Sequence, residues 1–316
     1  RVSVTDRCDL RCVYCMKEKM NFLPKNEILS LEEIERLCDN FIELGVEKIR
    51  LTGGEPLVRK NIIHLIENLN KKKSSTNLKE ITLTTNGSLL KRYAKDLKTN
   101  GINRINVSLD TIIEEKFREI TRFGNLQNTL DGIEEAIKNG IKVKINTVVF
   151  KNFNEDQTTN LINWANKKLL DLTFIEVMPM SDTDLPRHMQ FVSLDKIFKE
   201  LNNTFNFIQS DYKTGGPSNY YVSEKLDIKI GFITPLSNNF CATCNRVRVS
   251  STGKMYMCLG QNDYVDFRKL LRTDRSDDYI KDKIRFALSI KPKRHDFIID
   301  SEVKPYISRH MNETGG

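Results

Sequence analysis

The 316-residue sequence has no apolar run long enough to span a bilayer, which excludes a helical membrane anchor. No secretory signal opens it, so a reducing cytoplasm is the expected compartment. It lacks an initiator Met, and the natural chain is expected to begin upstream of Arg1. There is no internal repeat, no low-complexity stretch and no long basic tail. Lys71-Lys72-Lys73 reads as a solvated helix end. The formal charge of +8 favours an anionic partner; nucleic acid and a polyphosphate both qualify, and the scatter of the basic residues favours a small anion.

What the chain does have is cysteine in two groups. Cys8, Cys12 and Cys15 follow the alternating run Arg1–Thr5, a short strand; Cys241, Cys244 and Cys258 lie near the other end. Triplets at opposite ends of so long a chain suit metal sites better than a disulfide framework. Thiolates spaced Cys-x3-Cys-x2-Cys on a loop can converge on one soft metal centre. A [4Fe–4S] cube takes about four thiolates, so three leave one iron open. A structural zinc is the alternative, but zinc prefers paired Cys-x2-Cys units or added histidines. The second trio also lacks a histidine nearby in sequence, His188 and His295 being the nearest. Cys38, at helical spacing with Ile34, Phe41 and Ile42, belongs to the core.

Between the triplets, strands and helices alternate. Ser30-Leu-Glu-Glu33 is a capping box for a helix that Gly45 ends. Lys48–Thr52 leads as a strand into Gly53-Gly54-Glu55-Pro56. Helix 60–70, strand 80–85, helix 88–100, strand 104–109, helices near 112–120 and 126–139, strand 142–149, helix 155–168 and strand 172–177 follow. Such alternation means parallel βα units. Six units make a partial (βα)6, TIM-like barrel over residues 1–180, with ligands expected at the carboxyl ends of its strands. Residues 181–316 form an extension of antiparallel strands (219–223 with 228–233, 246–250 with 254–258) and helices near 194–202, 264–272 and 276–289, which closes the open side.

The single motifs have plain readings beside functional ones. Gly53-Gly54 serves any tight turn, yet also lets backbone approach a ligand, and Glu55 can accept from an amine. Ser108 could face solvent and Met178 could be core. Arg246 and Arg248 alternate on one strand and so share a face beside Cys244, where two guanidiniums suit a triphosphate; exposed edge charges are the alternative.

The first trio, with Tyr14 in its aromatic slot, resembles the radical S-adenosylmethionine (SAM) superfamily. The whole sequence resembles the molybdenum cofactor biosynthesis protein A family of GTP 3′,8-cyclases. The likeness is carried by Arg1-x-Ser-x-Thr-Asp-Arg-Cys8, Arg50-x-Thr-Gly-Gly-Glu-Pro56, Leu83-Thr-Thr-Asn-Gly87, Asn106-Val-Ser-Leu-Asp110, Lys142-Val-Lys144-Ile-Asn146, Phe174-Ile-Glu-x-Met178-Pro, Cys241-x-x-Cys244-x-Arg246-x-Arg248, Lys291-Pro-x-x-His295 and the Gly-Gly tail. The resemblance implies two [4Fe–4S] clusters, on Cys8, Cys12 and Cys15 and on Cys241, Cys244 and Cys258, and SAM beside Tyr14, Gly54, Glu55, Ser108 and Met178. It implies GTP held by Arg1, Arg50, Thr84, Lys144, Asn245, Arg246 and Arg248, and the tail Gly315-Gly316 reaching into the site, with Arg246, Arg248 and both glycines taking part in catalysis. The implied reaction starts with an electron entering the first cluster and SAM being cleaved. The 5′-deoxyadenosyl radical takes hydrogen from ribose C3′, and C3′ adds to guanine C8, giving 3′,8-cyclo-7,8-dihydro-GTP. A reducing electron donor protein, a downstream cyclic pyranopterin monophosphate synthase and a homodimer are implied as partners, and neither nucleic acid nor a membrane. Thr173 stands where the family commonly has arginine. Two rivals stay open: a radical SAM peptide-modifying enzyme with auxiliary clusters, and a non-catalytic zinc protein that binds nucleic acid.

Overall fold

Polar and apolar residues alternate along each long strand of the N-terminal half, although parallel strands covered by helices usually read as unbroken apolar runs. The computed structural model explains the difference. It describes all residues except 182–186, 239, 274, 296, 298–306 and 316, and the backbone alone of Arg187. Outward-facing Ile49, Leu51, Ile81, Leu83, Ile105, Val107, Val143 and Ile145 enter one hydrophobic core beneath the helices. The intervening residues face inward and are polar because that side lines a cavity rather than a packed interior.

The order is β1 (Val2–Ser3), α1 (Leu31–Glu43), β2 (Lys48–Thr52), α2 (Ile62–Lys72), β3 (Glu80–Thr85), α3 (Leu90–Thr99), β4 (Arg104–Ser108), α4 (Glu114–Thr121), α5 (Leu126–Lys138), β5 (Lys142–Val149), α6 (Thr158–Lys167) and β6 (Asp171–Glu176). These six strands are parallel neighbours in sequence order, the expected partial barrel. Ser30 and Glu33 form the capping box of α1, whose Ile34, Leu37, Cys38, Phe41 and Ile42 are buried. Burial pushes the Cys38 thiol up to about 12, which suits an inert core residue.

Then come α7 (Arg187–Gln190), α8 (Leu194–Phe205), β7 (Ile208–Ser210), β8 (Asn219–Ser223), β9 (Leu226–Ile233), β10 (Arg248–Val249), β11 (Lys254–Tyr256), β12 (Tyr264–Asp266), α9 (Phe267–Leu271), α10 (Asp277–Ser289) and α11 (Met311–Thr314). The antiparallel pairs β8–β9 and β10–β11 form, but they are not a separate sheet. β9 runs parallel to β6 and β10 parallel to β1, so the later strands lengthen both edges of one open sheet, of twelve strands among the described residues. The expected helix at 264 begins three residues later, because Asp266 ends β12 and caps α9 by accepting from Arg268 N. Among the described residues no helix is long and apolar enough to cross a membrane.

Candidate active site

The sheet curls far enough for residues of β10 and β9, near its opposite edges, to line one cavity of about 280 Å³. Into it face Cys8, Cys12 and Cys15 from the loop after β1, and Cys241, Cys244 and Cys258 from the extension. Tyr14, Gly54, Ser108, Met178, Arg1, Arg50, Thr84, Lys144, Arg246 and Arg248 also line it, whereas Glu55 and Asn245 do not. Asn245 is exposed.

The first cysteine loop is held by its own sequence. Cys15 N donates to Cys12 O at 2.8 Å, closing a tight turn. Arg11 N and Val13 N donate to Thr121 O and Ile120 O at the end of α4. Arg11 Nη1 folds back onto Cys8 O at 2.6 Å. Gly53 and Gly54 set the other wall. Gly54 N donates to Thr5 O and Glu55 N to Arg7 O, both at 2.9 Å. A Cβ on Gly54 would lie 2.7 Å from the Arg7 carbonyl carbon, and Gly53 has φ +151°, so the pair permits backbone-to-backbone contact with the cysteine loop. Glu55 serves the same wall. It is fully buried, Oε1 accepts from Leu57 N and Thr85 Oγ1, and Oε2 accepts from Asn86 N. Burial raises its carboxyl to about 7.

The strand register gathers the cations. Val2 pairs with Val249 on one side and Leu51 on the other, which sets Arg1 between Arg248 and Arg50 on the inner face. One step along, Thr84, Asn106 and Lys144 are neighbours on β3, β4 and β5. Burial, then Arg246, brings Arg248 down to about 9; burial, then Arg104, brings Arg50 to about 10. Burial lowers Lys144 too, while Tyr220, which accepts from its Nζ at 3.1 Å, opposes the shift. Among the described residues no ion pair takes in Arg1, Arg50, Lys144, Arg246 or Arg248. Crowded cations, buried at Lys144 and Arg248 and half-buried at Arg1, Arg50 and Arg246, without carboxylate partners are an anion site. Asn106 Oδ1, Asn146 Oδ1 and Ser218 Oγ line the cavity with no hydrogen-bond partner among the described residues, so polar ligand groups are called for. Thr173 is fully buried on β6 and adds no charge. Gly315 reaches this site: its carbonyl accepts from Arg248 Nη1, and a Cβ there would lie 2.9 Å from Gly53 N. Gly316 lies outside the described residues.

The thiols fit iron–sulfur ligation by their chemistry. None of the six is in a disulfide, and all are half-buried. Burial first, then Cys15 and Cys8, hold the Cys12 thiol well above its usual value, and a cationic core would draw it into thiolate form. At the second trio burial raises Cys244, but Arg246 and Lys291 outweigh it and the thiol falls below its ordinary value. Among the described residues no three His, Cys, Asp or Glu side chains converge on a single ion.

Four contributors were absent from the sequence reading as site residues. Asn106 and Asn146 follow from the inward alternation of β4 and β5. Asp110, raised to about 6 by burial, accepts from Tyr14 Oη at 2.9 Å and from Val148 N, and so orients the aromatic ring. Ser218 sits on a loop that no periodicity marks.

Comparison with known proteins identifies the family. Residues 2–165 match the family model of the radical SAM superfamily, and residues 170–297 match Molybdenum Cofactor Synthesis C. A protein of Brucella ovis named GTP 3′,8-cyclase is 54% identical over 100% of this chain and 92% of its own length. One of the same name from Brucella abortus is 53% identical over the same shares. Among solved structures, Streptococcus suis SuiB bound to S-adenosylmethionine superposes with a TM-score of 0.62 at 16% identity, covering 89% of this chain and 66% of that one. SuiB bound to its precursor peptide SuiA gives 0.61 at 15%, covering 89% and 65%. SuiB supports the fold alone. The full-length identity to the cyclases, with the family model over the barrel, makes this chain a member of the GTP 3′,8-cyclase family within the radical SAM superfamily.

Proposed function

We propose that the chain converts GTP to 3′,8-cyclo-7,8-dihydro-GTP, the first step of molybdenum cofactor biosynthesis. The observation that carries this reading is a row of buried and half-buried cations, without ion-pair partners among the described residues, in one cavity between two trios of cysteines outside any disulfide. Cys8, Cys12 and Cys15 would hold a [4Fe–4S] cluster with SAM at its open iron, and Cys241, Cys244 and Cys258 a second cluster. When bound, the first cluster and SAM supply the homolytic removal of the ribose C3′ hydrogen that lets C3′ bond to C8.

The protein's own residues bind, orient and exclude water. Arg1, Arg50, Arg248 and Lys144 receive the triphosphate, relieving their mutual repulsion. Asp110 fixes Tyr14, whose ring packs against Phe150 with centroids 4.9 Å apart. Lys48 pairs with Glu80 at the start of β2 and donates to Thr214 O, closing the floor of the barrel. The Gly315 carbonyl accepts from Arg248 at the edge of the row. A reducing cytoplasm is the compartment this reading calls for, because thiolate ligands persist there. The reading includes a reducing electron donor protein, a downstream cyclic pyranopterin monophosphate synthase and, as in the family, a homodimer.

GTP deuterated at C3′ tests it. Anaerobically reconstituted protein with SAM and reductant should deliver the deuterium to 5′-deoxyadenosine. Deuterium left on the nucleotide while 5′-deoxyadenosine accumulates would rule the reaction out.

A further inference from the structure

The stretch from Lys291 to His295 has no part in the chemistry above, yet Lys291 grips the second cysteine trio and His295 holds the chain that leads to it. Lys291 Nζ donates to Met257 O at 2.6 Å and Arg246 O at 3.0 Å, and stands 3.9 Å from Cys244 Sγ. Met257 precedes Cys258 and Arg246 follows Cys244, so one ammonium joins the two loops that carry the trio. Its three N–H groups meet three acceptors, which neither a glutamine amide nor a planar guanidinium reproduces. Among the described residues no ion pair takes in Lys291, and its charge stays at the sulfur.

His295 braces the other side. Its Nε2 donates to Pro235 O at 2.8 Å, and Nδ1 accepts from Phe297 N at 3.2 Å. Both ring nitrogens are committed, so the imidazole, though it lines the cavity, is not free to ligate a metal. Pro235 opens the segment that leads to Cys241. The start of that segment is also tied to β6 by Leu236 N and Ser237 N donating to Glu176 Oε2.

We propose that Lys291 and His295 are positioning residues of the second trio: together they fix its two loops, and Lys291 sets the reduction potential of the group held there by keeping a positive charge on the Cys244 sulfur. This rests on the reading of that trio as a cluster site. A cation and a hydrogen bond at a ligating sulfur favour the more negative, reduced state, so removing them moves the potential down.

The test uses the full chain with Cys8, Cys12 and Cys15 replaced by alanine, leaving the second trio as the cluster site. After anaerobic reconstitution with iron and sulfide, iron is counted and the midpoint potential followed by electron paramagnetic resonance. Lys291→Gln is expected to shift the midpoint negative, whereas Lys291→Arg, which keeps the charge, should stay nearer the parent. His295→Ala keeps the charge but frees the loop; it should lose iron without moving the midpoint of what remains. The parent's iron content and midpoint in Lys291→Gln would overturn the role of the lysine. Should that variant fail to fold, full iron content in His295→Ala would overturn the clasp. A parent that takes up no iron would defeat the cluster reading itself, a result distinct from a loaded parent matched by its variants.

Discussion

Gly54→Ala is a single methyl added where two backbones touch. Its Cβ would stand 2.7 Å from the Arg7 carbonyl carbon and 2.9 Å from Asp6 O, against ordinary contact from 3.4 Å. The overlap is with main chain, the Arg7 carbonyl oxygen being closer still, so the cysteine loop must recede by at least about 0.7 Å rather than turn a side chain away. Overpacking of this kind costs about 1–3 kcal/mol. The recession also stretches the Gly54 N to Thr5 O and Glu55 N to Arg7 O bonds, each contributing about 1 kcal/mol. Together the loss is about 3–5 kcal/mol, and at about 2 °C per kcal/mol the Tm should fall by roughly 6–10 °C. Because the strain falls on the loop bearing Cys8, iron uptake at the first trio should drop while the second trio still loads. Gly45→Ala is the control: Gly45 has φ +92° but nothing within 4 Å, so only conformational strain of about 1 kcal/mol is added. Scanning calorimetry and iron counts on both proteins decide the matter. A Gly54→Ala protein no less stable than Gly45→Ala, with full iron, would refute the steric account.

Arg248→Ala removes one buried guanidinium from the anion row and should raise the KM for GTP about 10- to 100-fold, as expected for a lost charge-assisted bond, while reductant-driven SAM cleavage without GTP persists; steady-state kinetics check both. Glu55 gives a signed pH effect. Its folded value of about 7 lies above the usual 4.5, so the fold binds its proton more tightly, and stability of the metal-free protein should fall by about 3 kcal/mol as pH rises from 4.5 to 7, then level off. Denaturant titrations across that window should show the slope, and Glu55→Gln should lack it. Deleting Gly315 and Gly316 uncovers Arg248 and should reduce cyclisation at least tenfold, by the loss of one positioned group, with 5′-deoxyadenosine still formed. Equal cyclisation by the shortened chain, read by mass spectrometry, would show the tail to be idle.

The barrel was legible because its signals are local. Ser30 and Glu33 announce α1, and the period-two pattern of β4 and β5 sorts Asn106 and Lys144 inward and Val107 and Ile145 outward. The two cysteine trios and the alternation of Arg246 with Arg248 are legible for the same reason, as spacings along one chain, whereas Arg1, Arg50, Lys144 and the tail were suggested by the family resemblance. Partners far apart in sequence were not. Nothing in 226–233 or 248–249 says that these strands extend the two edges of the barrel sheet, because pairing is chosen by tertiary packing and not by alternation. Glu55 illustrates the limit at the site. A carboxylate after Gly-Gly suggests a ligand contact, and only the fold reveals that Leu57, Thr85 and Asn86 already occupy both of its oxygens. Lys291 is the converse, a cation in a charged tail segment that lies at a thiol some 47 positions away.

One sample tests the central claim most directly. Protein reconstituted under strictly anaerobic conditions is assayed for iron and sulfide, then incubated with SAM, reductant and GTP. Two trios facing one cavity predict about eight irons per chain, and 5′-deoxyadenosine formed alongside a cyclised nucleotide of the same mass as GTP. About four irons, or 5′-deoxyadenosine with GTP untouched, would contradict it.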